Sequence, residues 1–344
     1  VLTKYYKQTV MRVFRISFLA MALWTLFSTK LFAQIDPHFS QYYMYPSWLN
    51  PALTGAFDGD YRVTGIYRSQ WGSIAPFNTP GVSFDVNGNN TLNYGGSILQ
   101  QNAGDGGYNY LTAYGNIAYT GVRFGAAGNQ RLVFGLQAGL IQRRFNPSKL
   151  TWADQWNPIT GYNSSNPTGE FLSRTSATAF DAGAGVLYYD AQPGKKANIF
   201  AGFSASHITR PDDKFSPGST EKIPVRYTLH GGVRLVVNEN LTITPNFLYL
   251  RQRTASEAMI GAYAQIKAPL NTEFLFGANY RVKDAFSPYM GFFYKNFTLG
   301  VSYDVNTSDL SRVQRGANSF EISLSFIGKK KTATPEVEFI CPRL

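Results

Sequence analysis

A single cysteine, Cys341, excludes an intramolecular disulfide framework. Charge is scarce as well: 15% of the residues are charged, against roughly 25% in an ordinary soluble domain. After residue 33 no window approaches the roughly 18 consecutive apolar residues of a membrane helix. Catalytic signatures are missing too. There is no Gly-x-Ser-x-Gly, no His-Glu-x-x-His and no phosphate-binding glycine loop with lysine. The three histidines, His38, His207 and His230, stand far apart without ligand spacing. Ser206-His207 with Asp212 nearby reads as a strand-end histidine beside a loop carboxylate rather than as a nucleophile and base. Asp85-x-Asn87-x-Asn89 opens like a calcium loop, but Asn90 takes the glycine position and Gly96 that of the bidentate glutamate, so a β-turn is expected. No enzyme, metal or cofactor reading finds residues to carry it.

What is present is aromatic and small: 22 Tyr, 26 Phe and 32 Gly in 344 residues. Residues 1–33 read as a signal peptide. Met11 is a plausible start, Arg12 and Arg15 precede the apolar run 13–27, and Leu31-Phe32-Ala33 leaves Gln34 first. An uncleaved anchor is the rival, although the run is short for a span of about 20 residues. Removing 1–33 takes away Lys4, Lys7, Arg12, Arg15 and Lys30 and no acid, so only part of the formal +11 remains. Without a dense basic run, a nucleic-acid partner is not expected.

From Tyr61 onward the chain alternates with a period of two. Phe297, Leu299, Val301, Tyr303 and Val305 share one face, and Thr298, Gly300, Ser302, Asp304 and Asn306 the other. Residues 132–141 and 273–282 alternate in the same way. An apolar face points either into a soluble core or out into lipid, and periodicity alone does not separate the two. Low charge and the absence of a spanning helix favour the second, a transmembrane antiparallel β-barrel. About fourteen strands are expected, centred near residues 66, 82, 97, 113, 136, 185, 202, 231, 245, 262, 277, 290, 301 and 322. Connections near 87–91, 190–196, 238–240, 268–271 and 294–296 are tight. Those near 69–79, 144–178, 208–225 and 306–317 are long, which suggests short turns at one rim and long loops at the other. The stretch 121–131 is longer than that rule wants. A barrel this wide is not closed by its own side chains. The segment 36–55 has five aromatics and three prolines, so it needs a surface to lie on and cannot join a sheet. It is the candidate plug, expected at or in the periplasmic mouth, with Asn50 capping a short turn begun by Pro51 and ended at Gly55. Interfacial anchoring of its aromatics is the alternative.

Several motifs fall in a particular order. Asp36-Pro37-His38-Phe39-Ser40-Gln41-Tyr42 runs on to Leu49-Asn50-Pro51-Ala52-Leu53-Thr54-Gly55, followed by Tyr67-Arg68-Ser69-Gln70-Trp71. Near the end come Val301-Ser302-Tyr303-Asp304, Glu321-Ile322 and Cys341-Pro342-Arg343-Leu344. This order resembles the PorP/SprF family of type IX secretion and gliding-motility proteins of Bacteroidetes. Val301 replaces a usual aromatic there, and Leu344 a common phenylalanine. The resemblance implies a non-enzymatic protein of the cell outer membrane that supports export or surface retention of adhesins with type B C-terminal signals. Its partners would be membrane lipid, the cargo signal domains and periplasmic machine components. A FadL-like pore for small or apolar solutes is the alternative. As partner- or plug-binding residues the motifs nominate Phe39, Ser40, Gln41, Tyr42, Asn50, Pro51, Arg68, Gln70, Trp71, Tyr303, Asp304 and Glu321. The chain divides into a signal peptide (1–33), a plug or docking segment (34–60), a barrel (61–328) and a short periplasmic tail (329–344).

Overall fold

The computed structural model describes residues 36–72, 76–88, 91–104, 107–125, 128–170, 174–212, 222–308 and 318–329. The expected signal peptide, its cleavage point before Gln34 and the tail beyond Lys329 lie outside them. Among the described residues no helix is long and apolar enough to cross a membrane.

Fourteen antiparallel strands close on themselves. They are β1 (Tyr61–Gln70), β2 (Phe77–Val86), β3 (Leu92–Ala103), β4 (Tyr108–Phe124), β5 (Gln130–Phe145), β8 (Ser176–Asp190), β9 (Ala197–Ser206), β10 (Arg226–Val236), β11 (Leu241–Gln252), β12 (Ala255–Ala268), β13 (Thr272–Arg281), β14 (Ala285–Tyr294), β15 (Phe297–Asn306) and β16 (Ser319–Gly328). Two further short strands, β6 (Trp156–Asn157) and β7 (Gly161–Tyr162), pair with each other in the connection between β5 and β8. Each barrel strand pairs with its neighbour in sequence, and β1 closes on β16 with Tyr61 opposite Gly328 and Arg68 opposite Glu321. Every one of the fourteen expected strand centres falls inside an observed strand.

Burial settles what alternation left open. Along β15, Phe297, Leu299, Val301, Tyr303 and Val305 point outward and are exposed, whereas Thr298, Ser302 and Asp304 are buried. The same inversion holds on β13, with Phe274 and Phe276 outside and Glu273, Asn279 and Arg281 inside. Apolar out and polar in is the arrangement of a barrel whose solvent is lipid.

One rim carries the connections 87–91, 125–129, 191–196, 237–240, 269–271 and 295–296 together with both barrel ends, and is called the turn rim here. The stretch near 121–131 is no long loop after all. β4 runs to Phe124 through a register shift between Tyr119 and Val122, so a short turn joins it to β5. The opposite, loop rim carries the long connections 146–175, 207–225 and 307–318. It also has tight ones, at 253–254 and 282–284, where Arg253 and Lys283 take positive φ. Long loops therefore sit at one rim only, but not at every position of it.

This topology predicts sidedness. With the turn rim in the periplasm, an epitope inserted near Ser165 becomes accessible to antibody on whole cells, and one inside 191–195 only after permeabilisation. Labelling in the reverse order would invert the orientation.

Candidate functional site

The lumen is occupied by the chain itself. Residues 36–55 run through it from the loop-rim half down to the turn rim, where the chain enters β1. The mouth position expected from the sequence is filled at Thr54 and Gly55, and the segment reaches well beyond it. Prolines shape the path. Pro46 and Pro51 each start a single helical turn, Pro46–Leu49 and Pro51–Leu53, where a missing N–H costs nothing. Asn50 caps the second turn by accepting from Ala52 N at 2.9 Å, and Gly55 leaves it with φ +72°. Phe39, Tyr42, Tyr43 and Tyr45 are buried, and Trp48 is half-buried. The barrel wall makes room for this chain. A Cβ at Gly135 would strike the Ala52 backbone, one at Gly185 the Asn50 amide, and one at Gly300 the Gln41 side chain.

Three sets of polar contacts hold the segment. The first lies on β1, β13, β15 and β16. Glu321, fully buried, accepts Ser40 N at 2.6 Å and Gln41 N at 2.9 Å, and pairs with Arg68. Arg68 and Arg281 flank Asp304 at 2.8 and 2.9 Å, and the Ser40 hydroxyl donates to the same carboxylate. Asn279 donates to Ser40 O, while Gln41 exchanges hydrogen bonds with Ser302 and Ser323. His38 accepts from Arg281 at 2.7 Å. Burial, then the Arg281 and Arg68 charges, push His38 well below the usual imidazole value, so it is neutral here.

The second set lies at the loop rim. Asp36 meets His207 Nε2 at 2.8 Å and Arg226 at 3.2 Å, and accepts from Gln252. On the other side of the ring, His207 Nδ1 faces Asp181 at 2.7 Å. Burial alone would lower the His207 pKa, but Asp36 and Asp181 outweigh it and raise it to about 9. Burial would likewise raise Asp36, yet His207 and Arg226 hold it below the ordinary carboxylate range. Arg226 also covers the Trp48 ring at 4.3 Å. Asp212, the sequence neighbour of His207, pairs instead with exposed Lys222.

The third set runs towards the turn rim. Asn50 donates to Val186 O and meets His230 at 3.1 Å. Asp85 takes Gly55 N and Arg62, both at 2.7 Å, and Asn93 donates to Thr54 O.

Of the residues nominated from sequence, Phe39, Ser40, Gln41, Tyr42, Asn50 and Pro51 lie in the segment itself. Arg68, Asp304 and Glu321 meet Ser40 and Gln41 directly, and Gln70 is buried on the same face of β1 as Arg68. Trp71 stands apart, just past β1 with φ +54°, edge-on to Phe77. Tyr303 faces outward and takes a hydrogen bond from Asn318. Sequence reasoning missed Arg226, Arg281, Asp181, Asp85 and His230. Strand parity marked Arg281 as inward, but nothing in the sequence paired these residues with a segment so far upstream. Among the described residues no cluster could hold a metal ion.

A closed barrel with an apolar exterior and a polar lumen stoppered by its own N-terminal segment is an outer-membrane protein. The chain belongs to the family of type IX secretion system membrane proteins PorP/SprF, whose model matches residues 31–326. No curated protein matches it in sequence. Among solved structures it is similar to the toluene transporter TbuX of Ralstonia pickettii, at 11% identity over 82% of this chain and 92% of that one, with a TM-score of 0.50. It is also similar to the CymD monoaromatic hydrocarbon channel, at 10% identity over 87% and 96%, with a TM-score of 0.48. At such identities the likeness concerns the fold.

Two predictions follow the anchors. Glu321→Gln keeps the shape but removes a buried charge from two arginine-linked carboxylates, and should cost about 3–5 kcal/mol; a gel-shift melting series would register the loss. At the loop rim, the raised His207 pKa stabilises the fold fully below about pH 6.5 and is lost as pH rises through about 9. Asp36, shifted down, acts in the opposite sense and is lost only in acid. The melting temperature should therefore fall between pH 7 and pH 10 in the native protein, and much less in His207→Gln.

Proposed function

We propose that this barrel is a non-enzymatic, plugged outer-membrane component of type IX secretion that supports export or surface retention of adhesins carrying type B C-terminal signals. Family membership supplies the secretion context. The observation that carries the reading is the plug: residues 36–55 cross the lumen, held on one wall by hydrogen bonds from Ser40 and Gln41 to Asp304 and Glu321 and on the other by the buried ion pairs of Asp36 with His207 and Arg226. A passive channel for small solutes needs a path through that space. A platform for a protein partner does not, and its turn rim faces the periplasmic components that would engage it.

Deleting the gene should remove one or a few surface adhesins and leave general growth intact. Loss of uptake of an apolar nutrient with an unchanged surface proteome would support the pore instead. In planar bilayers the intact protein should stay closed, and removal of residues 38–54 should open a stable conductance. A wide open channel in the intact protein would count against a plugged platform.

A further inference from the structure

The outer face of the barrel is apolar along most of its height, as lipid requires. Where β10 to β13 reach the loop rim, that face changes character. Tyr249 lies on the outer face of β11, Tyr280 on that of β13 and Tyr227 on that of β10, all three exposed. Tyrosines gathered at one end of a spanning wall mark the level of the lipid headgroups. At and above this level stand Arg251, Arg253 and Lys283, each exposed. Arg251 is the outward residue at the end of β11, and the other two lie in the tight turns at 253–254 and 282–284. The acids nearest to them in sequence are taken up elsewhere: Glu257, buried in the lumen, and Asp284 both pair with Arg281. Arg251, Arg253 and Lys283 have no ion pair among the described residues. At the opposite ends of these strands the signs are mixed, with Glu239 exposed in the turn after β10 and Lys267 opposite Glu273.

The strand ladder sets how these cations are spaced. Arg251 lies opposite Ser256, an exposed residue on the outer face of β12. On the far side of β12, Val282 N donates to Ala258 O at 2.9 Å, which brings Lys283 level with Ser256 and Glu257. Arg251 and Lys283 therefore flank the Ser256 hydroxyl, two strand spacings or roughly 10 Å apart at the backbone. Their side chains are long enough to meet between, with Arg253 close by in the turn. We propose that this surface binds a phosphate group of the glycolipid in the outer leaflet, held by Arg251 and Lys283 over Ser256. A guanidinium fork and an ammonium group supply charge-assisted donors to phosphate oxygens, and the hydroxyl adds another. The acyl chains of the same lipid continue down the apolar outer face, so the site is an extension of the surface that already meets lipid. Neither the plug nor any cargo takes part. The inference rests on the loop rim being the outer end of the barrel and holds whichever protein the barrel serves.

Native mass spectrometry of the purified full-length barrel in detergent reads the binding. Diphosphoryl lipid A is the probe, with dephosphorylated lipid A and phosphatidylglycerol as comparisons. The intact protein should hold diphosphoryl lipid A about tenfold more tightly than either. Arg251→Gln with Lys283→Gln should abolish that preference, a loss of about tenfold being the size expected for two charge contacts at a membrane surface. Ser256→Tyr keeps both cations but fills the gap between them, and should abolish it as well. Arg144→Gln, at the exposed loop-rim end of β5, should leave it intact. Heat-dependent gel migration checks that each variant remains a closed barrel. Equal affinity for diphosphoryl and dephosphorylated lipid A would overturn the proposal, and phosphatidylglycerol bound as tightly would reduce the surface to a general interfacial anchor and overturn it too. So would a preference that survives both the double substitution and Ser256→Tyr, or one that Arg144→Gln removes equally.

Discussion

The Arg68–Glu321 pair ties the structure together. It joins β1 to β16, the seam where the barrel closes, because these two residues stand opposite each other in the ladder. The same carboxylate takes the backbone N–H groups of Ser40 and Gln41. One buried ion pair thus serves both the closure of the wall and the docking of the plug. Its neighbours multiply that dependence. Asp304 is shared between Arg68 and Arg281, and the Ser40 hydroxyl sits among all three. Arg281 reaches Glu257 and Asp284 as well, and the plug adds the Ser40 and Gln41 N–H groups and the Ser40 hydroxyl as donors to the two shared carboxylates. A cluster this deep is tolerable only when it is complete. An empty lumen would leave Glu321 without two of its donors.

Width explains why a plug is needed and glycine explains how it fits. Fourteen strands enclose more space than inward side chains can fill. Residues 36–55 supply four buried aromatics and an apolar turn, and the wall recedes to a glycine at 135, 185 and 300 where the backbone comes closest. Aromatic burial drives the segment in, and the ionic contacts fix its position and direction. The fit is one-sided: dense against β3 to β8 and open against β12 to β16 near the turn rim. A barrel can therefore be shut along its axis and still present a cavity at one rim.

Much of this was legible in the residues. Period-two alternation located all fourteen strands, because a strand with one lipid face must repeat every second residue whatever its neighbours do. The Asn50-Pro51 cap and the Gly55 exit were readable for a similar reason, since they depend on local backbone chemistry alone. Arg68, Asp304 and Glu321 stood out as charges on strands in a chain with few charges, and an unpaired charge facing lipid is costly. Tyr303 was nominated with them through its motif, yet parity sends it to the opposite face from Asp304.

Sequence by itself determined the class of fold, the positions of the strands, which residues of each strand share a face and the turns of the plug, because all of these are set by interactions over a few residues. Only the tertiary structure decided how deep the plug runs and what holds it. Asp36 meets His207 and Arg226, while Ser40 meets Glu321, across separations of well over a hundred residues. Those pairings depend on the shear and closure of the barrel, which set which inward side chains share a level. No local pattern encodes that level. The cavity beneath the plug is likewise a difference between two shapes, and a difference of shapes exists only once both have folded.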